Sequence, residues 1–288
     1  MNEALRNTYR QRFDRVFDYI DEHLYNDLTV EQLSDIACFS RFHFLRQFTV
    51  YAGISLFGYI RLLRLKRASY RLAINTRERV IDIALDAGFE SPEAFSRAFR
   101  NTFGMSPSEF RKRPAWQVWS EKYRFPSRER RTVMDVKIVD FPETRIALIE
   151  HRGDPALVMD SAMNFIDWRK SSGLSPVKSS RTFGIAYDDP EQTLPEAFRF
   201  DICGSVSQAI PENPQGVKNG VIPGGRCAVV RHLGSHDRIG ESAYYLYREW
   251  LPDSGEELRD FPLFFHYLNL IYDTAEKDLV TDLYLPLR

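Results

Sequence analysis

Hydrophobic residues in the first part of the chain recur at helical spacing, and part of this pattern occurs twice. Phe44 and Phe48 lie on one side of a predicted helix, and the same spacing returns 51 residues later at Phe95 and Phe99. A serine precedes each pair at the equivalent position, Ser40 and Ser91. A shorter apolar helix is predicted before each serine. The sequence therefore contains an internal repeat of two helices joined by a short turn.

The residues at the helix ends support this interpretation. Thr29 with Gln32 three residues later has the pattern of a capping box, and Ser40 is suited to cap the second helix of its copy. In the second copy Ser91 takes the cap position and Pro92 the first helical position. Each copy is predicted to be a helix-turn-helix.

The second helix of each copy also has an outward face that carries an arginine. A helix-turn-helix places its second helix in the major groove, where an arginine can donate two hydrogen bonds to guanine. A plain helical bundle accounts for the phenylalanine stripes equally well. It does not account for the repeated turn, the repeated serine cap and the outward arginines Arg46 and Arg97. Binding to double-stranded DNA is therefore the expected function of this part.

Residues 58–74, between the two copies, alternate leucines with arginines and one lysine, which predicts a basic connecting helix. Residues 1–131 hold 23 Lys and Arg against 16 Asp and Glu, a net +7, whereas residues 132–288 hold 16 against 24, a net −8. A basic half suits the phosphate backbone of DNA, and an acidic half does not. The chain is expected to contain two domains with different tasks.

Residues 20–113 resemble the DNA-binding domain of the AraC/XylS family of transcription regulators. The resemblance lies in residues 28–33, 39–48, 58–61, 81–84, 88–91, 95–99 and 103–111. It implies that bases are read by Arg41, Phe42, Leu45 and Arg46 of the first copy and by Glu93, Ala94 and Arg97 of the second. It implies phosphate contacts for Arg61, Arg64, Arg100 and Arg111. RNA polymerase is a further partner that such a regulator implies.

The remaining residues separate into a linker and a second domain. Residues 114–133 interrupt the helical pattern with prolines and a run of charges at 128–131, and they are expected to form a solvated tether. Residues 134–288 then alternate as strand, helix, strand, strand, and this order occurs twice. The predicted chain has an all-α domain over 1–113, a linker over 114–133 and an α+β domain over 134–288, with a curved antiparallel sheet and a cleft between its halves.

The second domain resembles the GyrI-like effector-binding domains of multidrug-sensing regulators. The resemblance lies in residues 136–141, 184–190, 224–230, 232–234 and 282–287. It implies an aromatic cavity with an acidic residue near the closing strand, here Asp282, that selects bulky cations. Aromatic faces and a carboxylate both attract cations. The candidate walls are Tyr187, Phe200, Tyr244, Tyr247, Trp250, Phe264 and Tyr267.

Enzymatic and metal-dependent functions find little support in the sequence. The histidines form no HExxH motif, and the three cysteines form no CxxC pair, so neither metal nor cofactor is expected. No nucleophile elbow or phosphate-binding loop is present. Two alternatives for the second domain stay open: a protein-interaction module, and a hydrolase that uses Asp282 as a base. The chain has no run of about 18 apolar residues, so a cytoplasmic protein without membrane contact is expected.

Overall fold

The computed structural model describes residues 3–123 and 134–288. Residues up to 123, together with the distant segment Ile271–Lys277, form a helical unit, and residues 134–270 with 278–288 form a sheet unit. The predicted fold class, an all-α region followed by an α+β domain, is confirmed. The helices of the first unit are α1 (Glu3–Glu22), α2 (Val30–Ile36), α3 (Arg41–Ala52), α4 (Leu56–Ile74), α5 (Val80–Asp86), α6 (Pro92–Phe103), α7 (Pro107–Lys112) and α8 (Trp116–Lys122).

The predicted caps begin the helices of both helix-turn-helix copies. Thr29 and Gln32 form a reciprocal capping box at α2, and the hydroxyl of Ser91 accepts from the backbone N–H of Ala94 at 3.1 Å. Ser40 caps α3 in the same way. The apolar faces of α3 and α6 are fully buried at Phe44, Phe48, Phe95 and Phe99. The repeat seen in the sequence is therefore a repeat of cap, turn and buried face.

The turn inside each copy requires a left-handed backbone at one residue. The second copy places Gly88 there, with φ of 73°, whereas the first copy places Cys38 there, with φ of 53°. Among the described residues, Cys38 alone has a positive φ without being a glycine. The first turn therefore carries a strain that the second turn avoids.

The structure differs from the sequence expectation over the first half of the predicted linker. Residues 116–122 form α8, and Trp116 and Trp119 are buried against the ring of Tyr70 at centroid distances of 5.7 and 5.1 Å. A solvated tether would leave these two indoles exposed to water. Their burial stabilises the helical unit, so this segment completes its core. The charged run at 128–131 lies outside the described residues.

The sheet unit contains one antiparallel sheet whose strands come from both halves of the domain. Its strands are β1 (Val136–Phe141), β2 (Thr144–Arg152), β3 (Thr182–Ala186), β4 (Arg199–Ser205), β5 (Lys218–Ile222), β6 (Gly225–Leu233), β7 (Leu263–Tyr267) and β8 (Val280–Pro286). They are ordered β1-β6-β8-β7-β3-β4-β2-β5. The sequence did not predict β5. Each half gives its first strand to the other half, because β1 pairs with β6 and β5 pairs with β2.

The helices of the sheet unit repeat in the same way. Helix α9 (Val158–Ser172) packs against β2 and β4, and α10 (Ile239–Tyr245) packs against β6. After α10 the chain continues as a π-helical turn, Leu246–Trp250, and then as α11 (Leu251–Ser254). His151 bonds Ser161 of α9, and His232 bonds Ser242 of α10, both at 2.9 Å. These buried histidines anchor each helix to its strand.

Candidate DNA-reading surface and effector site

Helix α3 presents the predicted base-reading residues to solvent. Phe42 is 90% exposed, Leu45 is 39% exposed and Arg46 is exposed as well. Arg41 is exposed but forms an ion pair with Glu31 of α2. Arg46 is therefore the better placed of the two arginines to donate to a base, while Phe42 and Leu45 offer apolar contact suited to a thymine methyl group.

Helix α6 presents a similar but shorter surface. Glu93 and Arg97 are exposed, one helical turn apart, whereas Ala94 is half-buried. Glu93 lies in the first turn of the helix, where a carboxylate is favoured by the helix dipole. The structure thus brings Arg97 and Glu93 together on the outward face of the second helix-turn-helix.

The predicted phosphate contacts divide into two groups. Arg61 and Arg100 are exposed on α4 and α6. Arg64 is not available, which corrects its assignment: its guanidinium donates to the backbone carbonyls of Leu24, Asn26 and Gly88 at 2.9, 3.1 and 3.3 Å. It fastens the end of α1 to the turn of the second copy.

Arg111 is half-buried on α7. Its Nε and Nη2 atoms are shielded from solvent, and neither finds a hydrogen-bond partner among the described residues. Phosphate contact by Arg111 stays a prediction. Its sequence position on α7 gave no sign of this, since the burial depends on how α7 packs against α4.

Strand alternation divides the predicted effector pocket between the two faces of the sheet. Successive side chains of a strand point to opposite faces. On β8, Leu283 and Leu285 pack against Leu246 on the helix side, whereas Tyr284 packs with Phe264 in a second core. Of the predicted wall residues on the helix side, Phe200, Trp250 and Tyr267 pack in the core that contains Leu246. Tyr244 and Tyr247 lie on the helical segments of the same side. We call these five residues the helix-side aromatic cluster.

The remaining three predicted pocket residues lie on the opposite face. Phe264 stacks on Tyr284 at 5.0 Å, and the hydroxyl of Tyr187 donates to Asp201 at 2.9 Å. Asp282 is largely buried and accepts two hydrogen bonds from Arg231, at 2.7 and 2.9 Å. Its charge is therefore already compensated, and it faces away from the helix-side aromatic cluster. Asp282 is corrected from a cation-reading carboxylate to the partner of Arg231.

Two other carboxylates take a position beside the cluster. The hydroxyl of Tyr244 lies 2.9 Å from Asp189 Oδ2 and 3.1 Å from Glu191 Oε2, so its proton can be donated to either carboxylate. Burial raises the pKa of Tyr244, and the hydrogen bond to Asp189 raises it further. The guanidinium of Arg248 lies 4.1 Å from the centre of the Tyr244 ring. Sequence reasoning missed these carboxylates, although the 184–190 segment was among the recognised motifs.

The floor of the cluster is formed at Gly184 in the middle of the sheet. A Cβ added there would collide with the Phe200 ring and lie 3.0 Å from the Tyr267 hydroxyl oxygen. Burial raises the pKa of both Tyr247 and Tyr267, so these phenols stay neutral. The absence of a side chain at Gly184 leaves room for the tip of the Phe200 ring and for the Tyr267 hydroxyl.

The described residues form neither a metal-binding cluster nor a single helix that could span a membrane. Within it, no group of three or more His, Cys, Asp or Glu side chains is arranged to hold a metal ion. Among the same residues no single helix is long and apolar enough to span a membrane, although the bent pair α3 and α4 meets the test of length and composition. The apolar side of that pair is buried in the helical unit.

The two units together define a DNA-binding protein with a double helix-turn-helix and an α+β small-molecule domain. Residues 134–288 match the model of the GyrI-like small molecule binding domain, and residues 33–113 match a helix-turn-helix domain. The chain belongs to the GyrI-like family. The expected combination, an AraC-type transcriptional regulator with a C-terminal GyrI-like domain, is confirmed.

Similarity to individual proteins covers different parts of the chain. The chain is 53% identical over 154 residues to the probable transcriptional regulator YgiV of Escherichia coli K12, which covers 54% of this chain and 96% of YgiV. It is 35% identical over 130 residues to the HTH-type transcriptional regulator YbfP of Bacillus subtilis, over 45% of this chain and 41% of YbfP. The crystal structure of the EcmrR C-terminal domain has a TM-score of 0.45 at 16% identity, over 55% of this chain and 99% of that domain.

Proposed function

We propose that a single chain reads two successive major grooves of its promoter, with Arg46 of α3 and Arg97 of α6 as the main base-reading residues. The observation that carries this proposal is the pair of exposed arginines at the same outward position of two repeated, serine-capped helices. Successive major grooves on one face of B-DNA lie about 34 Å apart. A two-part site with a spacing of one helical turn is therefore expected.

The test is selection of bound sites from a random DNA library with the purified full chain. A bidentate arginine contact to guanine contributes about 1–3 kcal/mol of discrimination. Arg46→Ala and Arg97→Ala should each relax one half of the selected site and weaken binding by roughly 5-fold to 150-fold. The matched control is Arg15→Ala, which removes an equal charge from an exposed position on α1. Equal losses in all three variants would contradict base reading and leave only general electrostatic attraction.

We further propose that the effector is an aromatic cation bound at the helix-side aromatic cluster. Asp189 and Glu191 supply the negative charge, and the rings of Tyr247 and Tyr267 supply cation–π attraction, since Arg248 already covers the ring of Tyr244. This proposal replaces Asp282 as the charge-reading group, because Arg231 already pairs with that carboxylate.

Tetraphenylphosphonium and its neutral analogue triphenylphosphine oxide distinguish charge from shape in this test. The cation should raise the melting temperature of the full chain more than the neutral compound does, since a ligand that binds only the folded state stabilises it. The double variant Asp189→Asn, Glu191→Gln should abolish that difference. Asp282→Asn should leave it unchanged. A difference that is lost in Asp282→Asn and kept in the double variant would return the assignment to Asp282.

A non-enzymatic role completes the proposal. The hydrolase alternative requires a free carboxylate base at Asp282, and the bidentate contact with Arg231 occupies it. The DNA-bound protein would instead act on RNA polymerase. Transcription reconstituted with purified polymerase on a template carrying the selected site should change when the protein is added. Unchanged transcription, or turnover of reactive electrophiles that Asp282→Ala removes, would refute this part of the proposal.

A further inference from the structure

A short segment from the C-terminal part of the chain belongs to the helical unit. Ile271–Lys277 lies between β7 and β8 in the sequence, yet it is part of the unit formed by residues up to 123. The residues on both sides of it belong to the sheet unit. We call this segment the strap.

The strap is held by α4 through buried charges. Glu276 accepts from Lys66 Nζ at 3.3 Å and from Arg67 Nε at 3.4 Å, and the side chains of Lys66 and Arg67 are only 1% and 7% exposed. Asn75, just after α4, donates to the backbone carbonyl of Tyr272 at 3.2 Å. Buried charges are disfavoured unless they are paired, so the contact with Glu276 stabilises the buried ends of Lys66 and Arg67 on α4.

Helix α4 is the element that joins the two helix-turn-helix copies. It follows α3 in the chain and packs against α3, α5 and α7. A displacement of α4 therefore alters the relation between α3 and α6, the two recognition helices. The strap contacts α4 near its middle and at its C-terminal end, through Lys66, Arg67 and Asn75.

The residues that flank the strap on either side are bonded to one another within the sheet unit. The N–H of Leu268 donates to the carbonyl of Val280. Asn269 donates to the carbonyl of Asp278 at 2.7 Å and accepts from the N–H of Val280 at 2.8 Å. Tyr267, a member of the helix-side aromatic cluster, comes directly before this clasp. The chain thus runs from Tyr267 through this clasp to Glu276, which pairs with Lys66 and Arg67.

We propose that the strap is a coupling device that transmits changes in β7 and β8 to α4 and so adjusts the spacing of the two recognition helices. The link is covalent on the sheet side and ionic on the helix side. It requires the charge of Glu276 and the clasp made by Asn269. It does not depend on the chemical identity of the effector.

Hydrogen exchange of the full chain, measured without DNA or effector, tests the link directly. Asn269→Ala breaks the clasp within the sheet unit and should speed exchange in α4 as well as around β7 and β8. The matched control Asn219→Ala breaks a similar clasp, in which Asn219 bonds the backbone of Ile210, and should leave α4 unchanged. On a Glu276→Gln background, Asn269→Ala should no longer affect α4.

DNA binding provides the second measurement. Coupling through a packed network changes affinity by about twofold to thirtyfold. Glu276→Gln should weaken binding to a two-part site in that range and relax its preferred spacing, while binding to an isolated half-site stays constant. If Glu276→Gln does not fold, the pair Lys66→Met, Glu276→Leu removes both charges and replaces it. Additive effects of Asn269→Ala and Glu276→Gln, or α4 exchange that ignores Asn269→Ala, would overturn the proposal.

Discussion

The turn residues Cys38 and Gly88 give a stability prediction with opposite signs at equivalent positions. A side chain in the left-handed region costs roughly 1–2 kcal/mol, and a glycine loses about 0.4–1 kcal/mol more backbone entropy on folding. Cys38→Gly should therefore stabilise the helical unit by about 0.5–1 kcal/mol. Cys38→Ala keeps the Cβ atom and should gain nothing, so it is the matched control.

Gly88→Ala should cost more than Cys38→Gly gains. A Cβ at Gly88 lies 3.0 Å from the Cζ and Nη1 atoms of Arg64, so it disturbs the contact between that guanidinium and the Gly88 carbonyl as well as straining the backbone. A hydrogen bond to a charged group contributes about 1.5–3 kcal/mol. With partial loss of that bond, the total should be about 2 kcal/mol. In an Arg64→Met background the cost should fall to the backbone strain alone.

The assay is hydrogen exchange at two equivalent amides. The N–H of Phe39 donates to the carbonyl of Ser34 across the first turn, and the N–H of Phe89 donates to that of Ala84 across the second. Protection at Phe39 should rise in Cys38→Gly, and protection at Phe89 should fall in Gly88→Ala. Equal protection at Phe39 in the glycine and alanine variants of Cys38 would refute the assignment of strain to that residue.

Three further predictions concern burial and charge. Desolvation lowers the pKa of His232 below its ordinary value of 6.5. The unfolded chain therefore binds this proton at a higher pH than the folded chain, and stability should fall as the pH drops below about 6.5. In melting curves, His232→Gln should flatten that dependence on pH. Gly184→Ala should destabilise the sheet unit by about 1–3 kcal/mol in urea unfolding, because the new methyl group meets the Phe200 ring and the Tyr267 hydroxyl. Trp116→Ala should cost roughly 3–5 kcal/mol in the same assay, and a cost under 1 kcal/mol would restore the linker interpretation.

The sequence alone determined the features that depend on local periodicity and end chemistry. The caps at Thr29, Ser40 and Ser91 and the buried phenylalanine faces of α3 and α6 follow from residue spacing, because a helix places every third or fourth side chain on one face. The strand-helix-strand-strand order was predicted from the same kind of local pattern, because apolar residues alternate in strands and recur at helical spacing in helices. The short edge strand β5 was not, since its pattern is too brief to distinguish from a loop.

Only the tertiary structure decided which charged and aromatic side chains are available. Arg64 and Arg61 occupy similar positions in the sequence of α4, yet one is bound to three backbone carbonyls and the other is exposed. Strands buried on both faces conceal the direction of each side chain, so Asp282 was placed with the wrong group of residues. The partners that decide these cases, Arg231 for Asp282 and Tyr244 for Asp189, are separated from them by 51 and 55 residues. Packing brings such pairs together, and local sequence carries no record of it.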